Sequence, residues 1–381
     1  MWSSPFGRVL RTWAHVDWIL LGTAVLISLA GLVTMHSFSV ENSFFDKQAI
    51  WIVMGISLFL IASLIDYHFL RATIPVAILF GAVIIMLMLI FFLGDITKGA
   101  QSRFNLGAFA AQPAELAKLV LIIVLAKYFA RRHVEIAHYK HILVSGAYAL
   151  LLFSLIFLQP DFGSAIIIGS IWLGMILVAG ISKKHLAMVF ILVALSGIGM
   201  WSFVLQDYQR QRITTFLYPL ADIRGAGYNA YQATIAVGSG QVIGKSIGYG
   251  TQSKLEFLPE YQTDFIFAAF AEEWGFIGVL LLFGLFGIMF VRILTHAVRG
   301  ASNFETLFAS GVAILFLSHF IVHVGMNIGL LPVTGTTIPF MSYGGSHMLT
   351  EFLELGMIVG MSRYARSVSA PRATRELGAL I

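Results

Sequence analysis

The chain has 381 residues, 58% of them hydrophobic and only 11% charged, with a formal net charge of +5 and a mean hydropathy of +0.87. Soluble globular domains carry roughly 25% charged residues, so the composition excludes a soluble enzyme or binding module and predicts an all-α integral membrane protein. The absence of cysteine removes disulfides and thiolate metal sites, and the basic excess is read as a topology signal with no nucleic-acid partner implied.

At about 17 to 25 apolar residues per span, helices are predicted near 18–37, 48–65, 74–94, 114–130, 142–158, 163–181, 186–205, 264–291, 306–330 and 346–362, about ten in all. Trp18 to His36 reads as a retained first span, not a cleaved signal peptide. An even count puts both termini on one side. Fifteen Lys and Arg fall on that side (Arg8, Arg11, Arg71, Lys127, Arg131, Arg132, Lys140, Lys183, Lys184, Arg292, Arg299, Arg363, Arg366, Arg372 and Arg375) and eight opposite (Lys47, Lys98, Arg103, Arg210, Arg212, Arg224, Lys245 and Lys254). The positive-inside bias makes the terminal side cytoplasmic. The expected organisation is one multi-pass domain over 1–381 in a plasma membrane, with cytoplasmic tails 1–16 and 364–381.

A single long external loop, 206–263, separates helices 7 and 8 and far exceeds the usual connection of about 4–6 residues. Its glycines (Gly225, Gly227, Gly238, Gly240, Gly244, Gly248, Gly250) suit tight turns, and Phe216, Tyr218, Tyr228 and Tyr231 suit a membrane interface. Short interfacial helices are expected there. No repeat of fixed period is visible, which weakens a transporter built from inverted halves.

The chemistry-bearing residues crowd the external face. DITKGAQSRFNLGAFAAQPAELAK, 95–118, leads into the fourth helix with Glu115 and Lys118 at i, i+3. LQPDFG places Asp161 in a short turn, FLPEYQTDF carries Glu260 and Asp264, and NIGLLPVTGTTIPFMSYGGS forms the last loop. Each has a bland alternative. Asp264 either performs chemistry or caps a helix start; Glu115 and Lys118 either form a site or pair to tolerate burial. Glu272 and Glu273, about 12 Å along the helix from Asp264, read as structural groups bonding across the bundle. His319 and His323 have i, i+4 spacing but lack the glutamate of the zinc-protease pattern, so a packed or hydrogen-bonded role is expected. His347, Glu351 and Glu354 share one face, with no role assigned beyond pairing with polar neighbours.

YQATIAVGSGQVIGKSIGYGTQSKLEFLPEYQTDFIFAAFAEEWG, 231–275, resembles the SEDS family (shape, elongation, division and sporulation proteins). GAQ and LG before QPAELAK, then LQPDFGSA, RITTFLYPLAD with GYNAYQ, and PVTGTTIPFMSYGGS follow in that family's order, over about 15–366. GTQSKLEFLPE and the length resemble the elongation branch more than the division branch. The resemblance implies a peptidoglycan glycosyltransferase that polymerises lipid II, with inversion, at the outer face of the membrane. Asp264 matches the aspartate of the family's TDF segment and is implied as the catalytic carboxylate. Lys118 matches the lysine after the family's QPSE, and Glu115 and Glu260 match motif acids. Arg103, Arg210, Arg212, Lys245, Gln112 and Ser342 complete the expected substrate-binding set, although the long loop balances five basic residues against four acids.

A divalent cation, Mg or Mn, is expected to assist, with Asp264 and Glu260 as candidate ligands and no organic cofactor. The implied partners are lipid II and the nascent glycan, membrane lipid, a class B penicillin-binding transpeptidase and other elongation-complex proteins. Three departures fall outside the TDF segment: Ser102 and Arg103 stand where the family has Arg-Trp, Ala114 replaces the QPSE serine, and Gln241 replaces a glycine of GSGG. The competing readings are a lipid II flippase, which needs polar groups through the full membrane depth, and a scaffold for the transpeptidase.

Overall fold

The computed structural model describes residues 16–37, 43–97, 100–105, 110–131, 139–218, 225, 227–255 and 257–378. Arg8, Arg11, Lys98, Arg132, Asp222, Arg224, Glu256 and the Leu106–Gly107 pair lie outside the described residues. Long helices stand at all ten predicted positions. They are α1 Trp18–His36, α2 Ser43–Ala62, α3 Thr73–Leu93, α4 Pro113–Ala130, α5 Tyr139–Leu158, α6 Phe162–Ala179 and α7 Lys183–Gly199, then, after α8 Asp207–Leu217 and α9 Tyr228–Ser239 of the long loop, α10 Ile266–Val298, α11 Asn303–Asn327 and α12 Gly345–Gly378.

Eight of these are long and apolar enough to cross a membrane. The other two, α4 and α12, carry Glu115, Lys118, Lys127, Glu351 and Glu354, all buried. Glu115, Lys118 and Glu351 are paired with neighbours, which is how a span tolerates such charge, and Lys127 donates to a main-chain carbonyl. Helix starts follow local chemistry. Asp17 caps α1 by accepting from Leu20 N at 3.1 Å, Asp161 caps α6 from Ser164 N at 3.0 Å, and Pro113 opens α4, where its missing N–H costs nothing.

The bundle is built around α4 and α11, which are buried along most of their length. α11 packs on α4, α6 and α10; α10 runs along α1; α12 runs along α2. Close crossings use small residues: a Cβ at Gly55 would lie 2.4 Å from the Phe352 ring, and one at Gly356 2.7 Å from the Phe59 carbonyl. α3 and α7 expose apolar side chains such as Ile74, Ile78, Phe190 and Leu195, as a lipid-facing surface requires.

Four features differ from the sequence reading. The 95–112 loop holds a small antiparallel sheet, β1 Asp95–Thr97, β2 Ala100–Asn105 and β3 Ala110–Ala111. α12 runs to Gly378, well beyond its predicted end. α10 begins at Ile266, so Asp264 lies in the turn before the helix.

The fourth difference is a break in α10 at Gly275, with φ 63° and ψ −168°. The Gly-rich external loop fills it. Lys245 N and Ser246 N donate to the carbonyls of Glu272 and Glu273 at 3.0 and 3.1 Å, while Phe276 N and Ile277 N donate to the carbonyls of Gln241 and Val242 at 2.9 and 3.1 Å. Backbone groups freed by the break are thus satisfied, as burial demands. Glu272 and Glu273 bond mainly to this loop: Glu272 accepts from Lys245 Nζ at 2.8 Å and Thr251 N at 2.9 Å, and Glu273 accepts from Gly248 N at 2.6 Å and also from the Ser37 side chain at the end of α1.

Ion pairs tie the opposite face together. Asp17 Oδ2 accepts from Arg292 at 2.7 Å and lies 2.8 Å from His296 Nε2, and Arg71 pairs with Glu305. The starts of α1 and α11 and the last turns of α10 therefore share one face, as the even-span topology requires.

Candidate active site

The turn that carries Asp264 is sharp. Glu260 has φ +55°, a left-handed conformation uncommon outside glycine, and its carbonyl accepts from Thr263 N at 3.1 Å and Phe265 N at 3.2 Å. Its carboxylate lies near its own turn, with Oε2 3.3 Å from Thr263 Oγ1. Asn327, fully buried at the end of α11, clamps the turn from below: Nδ2 donates to the Asp264 carbonyl at 3.1 Å and to the His323 carbonyl at 2.8 Å, while Oδ1 accepts from Ala268 N at 3.2 Å.

The last loop, 332–344, closes over this turn. Ser342 Oγ donates to the Thr263 carbonyl at 2.9 Å and accepts from Ile338 N at 3.0 Å; Tyr343 N donates to the Gln262 carbonyl at 2.8 Å. Gly335, at φ +73°, brings its backbone against the carboxylate, since a Cβ there would lie 3.5 Å from Asp264 Oδ2. The LQPDFG turn joins from the other side: a Cβ on Gly163 would meet the Thr334 carbonyl at 2.8 Å. Gln112, ahead of α4, donates to Asp161 Oδ2 at 3.1 Å and its N–H to Ser346 Oγ at 3.2 Å.

Beneath the loop lies a buried polar network. Lys118 Nζ donates to Glu115 at 2.8 Å and lies 3.0 Å from His319 Nε2. His347 Nδ1 lies 3.0 Å from Glu115 Oε2, and its Nε2 lies 2.9 Å from Glu351 Oε1 and 2.8 Å from Thr337 Oγ1. His319 Nδ1 lies 3.0 Å from the Thr337 carbonyl, His323 Nδ1 lies 2.7 Å from the Thr336 carbonyl, and Glu351 Oε2 accepts from Phe340 N at 2.8 Å. One loop thus touches the Asp264 carboxylate through Gly335 and the Lys118 network through Thr337. The ammonium of Lys118 is only 1% exposed, so direct contact with a diphosphate needs that loop to move.

The structure therefore places Asp264, Glu260 and Ser342 at one turn, and links Gln112, Glu115 and Lys118 to it only through the LQPDFG turn and the last loop. Of the remaining basic candidates, it engages Lys245 and Arg210 elsewhere. Lys245 is held by Glu272 and Thr251 in the α10 break. Arg210 donates to the carbonyls of Trp201 and Ser202 at 3.1 and 3.4 Å, and Arg212 is exposed on α8. Arg103 is exposed on β2, close enough to the last loop that its charge opposes the rise that burial imposes on the Tyr343 phenol. His319 and His347 have the hydrogen-bonded role expected of buried histidines. Their attachment to Glu115 and Lys118 was not evident in the sequence, and neither was Asn327, whose only signal is a lone amide ending an apolar run.

For a divalent cation, the donor set consists of two carboxylates, Asp264 and Glu260, four residues apart on one turn. No group of three or more His, Asp or Glu able to hold a metal occurs among the described residues. Mg ions are commonly held by one or two carboxylates with water and substrate phosphates completing the shell, so two oxygen donors are chemically compatible with an ion completed by substrate.

Residues 9–367 match the cell cycle protein family of FtsW, RodA and SpoVE. The chain is 32% identical to the peptidoglycan glycosyltransferase MrdB of Escherichia coli K12 over 373 residues, covering 97% of this chain and 99% of that one. It is 29% identical to the peptidoglycan glycosyltransferase RodA of Treponema pallidum, covering 93% and 99%. Among solved structures, it superposes on a chain of a peptidoglycan synthase complex that coordinates polymerization and crosslinking, with a TM-score of 0.79, 28% identity and coverage of 92% and 98%. The rod shape determining protein RodA of Thermus thermophilus gives a TM-score of 0.69 at 27% identity, covering 91% and 96%. A profile match spanning nearly the whole chain, with a relative above 30% identity at almost full coverage, makes this chain a member of the FtsW, RodA and SpoVE family of cell cycle proteins, the SEDS family.

Proposed function

We propose that this chain polymerises lipid II into glycan strands at the outer face of the plasma membrane, as the elongation-type member of its family and with both termini in the cytoplasm. It is a peptidoglycan glycosyltransferase of the membrane. The observation that carries the mechanism is the closure of the last loop on the turn that holds Asp264, with Gly335 against the carboxylate and Ser342 on the Thr263 carbonyl. In this reading the Asp264 carboxylate takes the proton from the acceptor sugar's 4-hydroxyl as that oxygen forms its bond to the anomeric carbon of the growing chain. The anomeric carbon–oxygen bond to the diphosphate breaks in the same displacement, undecaprenyl diphosphate leaves with the electron pair, and the α-linked donor becomes a β-linked glycan.

Asn327 and Ser342 hold the backbone on either side of Asp264, fixing the direction of the carboxylate. Glu115, Lys118 and the His347 cluster set the position of the loop above it. A divalent cation held by Asp264 and Glu260 would supply positive charge for the diphosphate. A class B penicillin-binding transpeptidase is the proposed partner.

The test is incubation of purified protein, partner, lipid II and a divalent cation, with products resolved by gel beside Asp264→Asn. Polymer from the parent and none from a folded Asp264→Asn supports the reading. Transport of lipid II across vesicles that survives Asp264→Asn, with no polymer from either protein, would replace it with the flippase.

A further inference from the structure

Lys127 and Arg131 stand one turn apart at the last turn of α4, on one side of the helix. Their hydrogen bonds go to neutral oxygens. Lys127 Nζ donates to the Ala72 carbonyl at 2.6 Å, and Arg131 donates to Thr73 Oγ1 and to the Arg71 carbonyl, each at 3.2 Å. Among the described residues neither has a carboxylate partner, in contrast with Arg71, paired with Glu305, and Arg292, paired with Asp17. Both line the mouth of a cavity of about 540 Å³ between α3, α4 and α5, whose lining contains no acidic residue and no residue of the candidate active site.

The rest of that cavity is a slot. Val76, Phe80, Gly81 and Tyr148 line it, and from Thr73 to Gly81 it follows the helix for about 12 Å. Val144, 41% exposed, opens it sideways toward the belt where Ile74, Ile78 and Leu143 face outward. A soluble anion has no use for such a wall, and a zwitterionic headgroup brings its own cation to two that are already uncompensated. We propose that the slot binds an anionic phospholipid of the inner leaflet, with its phosphate on Lys127 and Arg131 and an acyl chain along Phe80 and Gly81. Juxtamembrane cations and basic pockets between spans attract such headgroups.

The leaflet rests on the cytoplasmic placement of the termini proposed above; the binding site itself does not. Native mass spectrometry of the purified protein, released from micelles containing equal phosphatidylglycerol and phosphatidylcholine, reads the site directly. The parent is expected to retain phosphatidylglycerol in preference. Arg131→Gln should reduce that preference about fivefold. Gly81→Leu, at a position where a Cβ meets nothing within 4 Å, should fill the slot and lower retention while leaving both charges in place. Both variants must elute and melt as the parent does. Equal retention of the two lipids by the parent, parental preference in both variants, or displacement of the lipid by millimolar inorganic phosphate would overturn the proposal. Orientation is checked separately by labelling Lys184→Cys in vesicles of known sidedness, which the cysteine-free sequence makes unambiguous.

Discussion

Gly275→Ala should uncouple the external loop from α10. Gly275 occupies a backbone region open essentially to glycine alone, where another residue adds about 1–3 kcal/mol of strain. A methyl group there would lie 2.2 Å from Gly244 N and 2.7 Å from the Val242 carbonyl, so the loop has to withdraw and release the four backbone hydrogen bonds that bridge the break. Taking these at the low end of about 0.5–1.5 kcal/mol each, the sum with strain is a destabilisation of about 3–5 kcal/mol. Gly287 on the same helix is the control. A Cβ there meets nothing within 4 Å, and Gly287→Ala should stabilise by up to about 1 kcal/mol through helix propensity. Reversible unfolding in mixed micelles, followed by tryptophan fluorescence, measures both. Equal stability of the two variants would refute the account of the break.

The same assay tests the buried pair. Lys118→Met leaves Glu115 buried without its ammonium and should cost about 3–5 kcal/mol, while Glu115→Gln with Lys118→Met should recover part of that loss; a coupling energy near zero in the double-mutant cycle would contradict the pairing. At the opposite face, burial alone would raise the Asp17 carboxyl, but the hydrogen bonds from His296 and Arg292 prevail and hold it well below the usual carboxylate range. A depressed folded-state value means that the stabilisation is complete above the unfolded value of about 3.9 and is lost as pH falls through the folded one. The stability gap between the parent and Asp17→Asn should therefore narrow below about pH 4, and a gap unchanged to about pH 2 would contradict the ion pair.

Helix positions were legible because apolar runs of span length leave little choice, and the glutamates and lysine inside α4 and α12 did not hide them. The short helices of the long loop are also legible in its length and its aromatic residues. The break at Gly275 is not, because a lone glycine within an apolar run is ordinary; only Gly244 of the long loop, packed against it, gives it meaning. For the same reason residue spacing does not reveal that Glu272 and Glu273 bond chiefly to amides and to Lys245 of the long loop.

At the site, Asp264, Lys118 and Ser342 lay in motifs whose order could be read directly. The network that joins Glu115 and Lys118 to His319, His347 and Glu351 spans three helices and a loop. Nothing in one chain's residue spacing says that α4, α11 and α12 are neighbours. Lys245 and Arg210 enter the expected substrate-binding set as basic residues of the external loop, while their structural partners are a buried glutamate and main-chain carbonyls.

In the proposed function the Asp264 carboxylate acts on the sugar hydroxyl and not on the integrity of the fold. Binding of lipid II and its polymerisation, measured side by side for the parent and Asp264→Asn in the presence of partner and cation, separate the two. Binding is expected close to the parent, with polymerisation lowered at least about 10²-fold, the range for loss of a general base. Polymerisation near the parental rate by Asp264→Asn would contradict it.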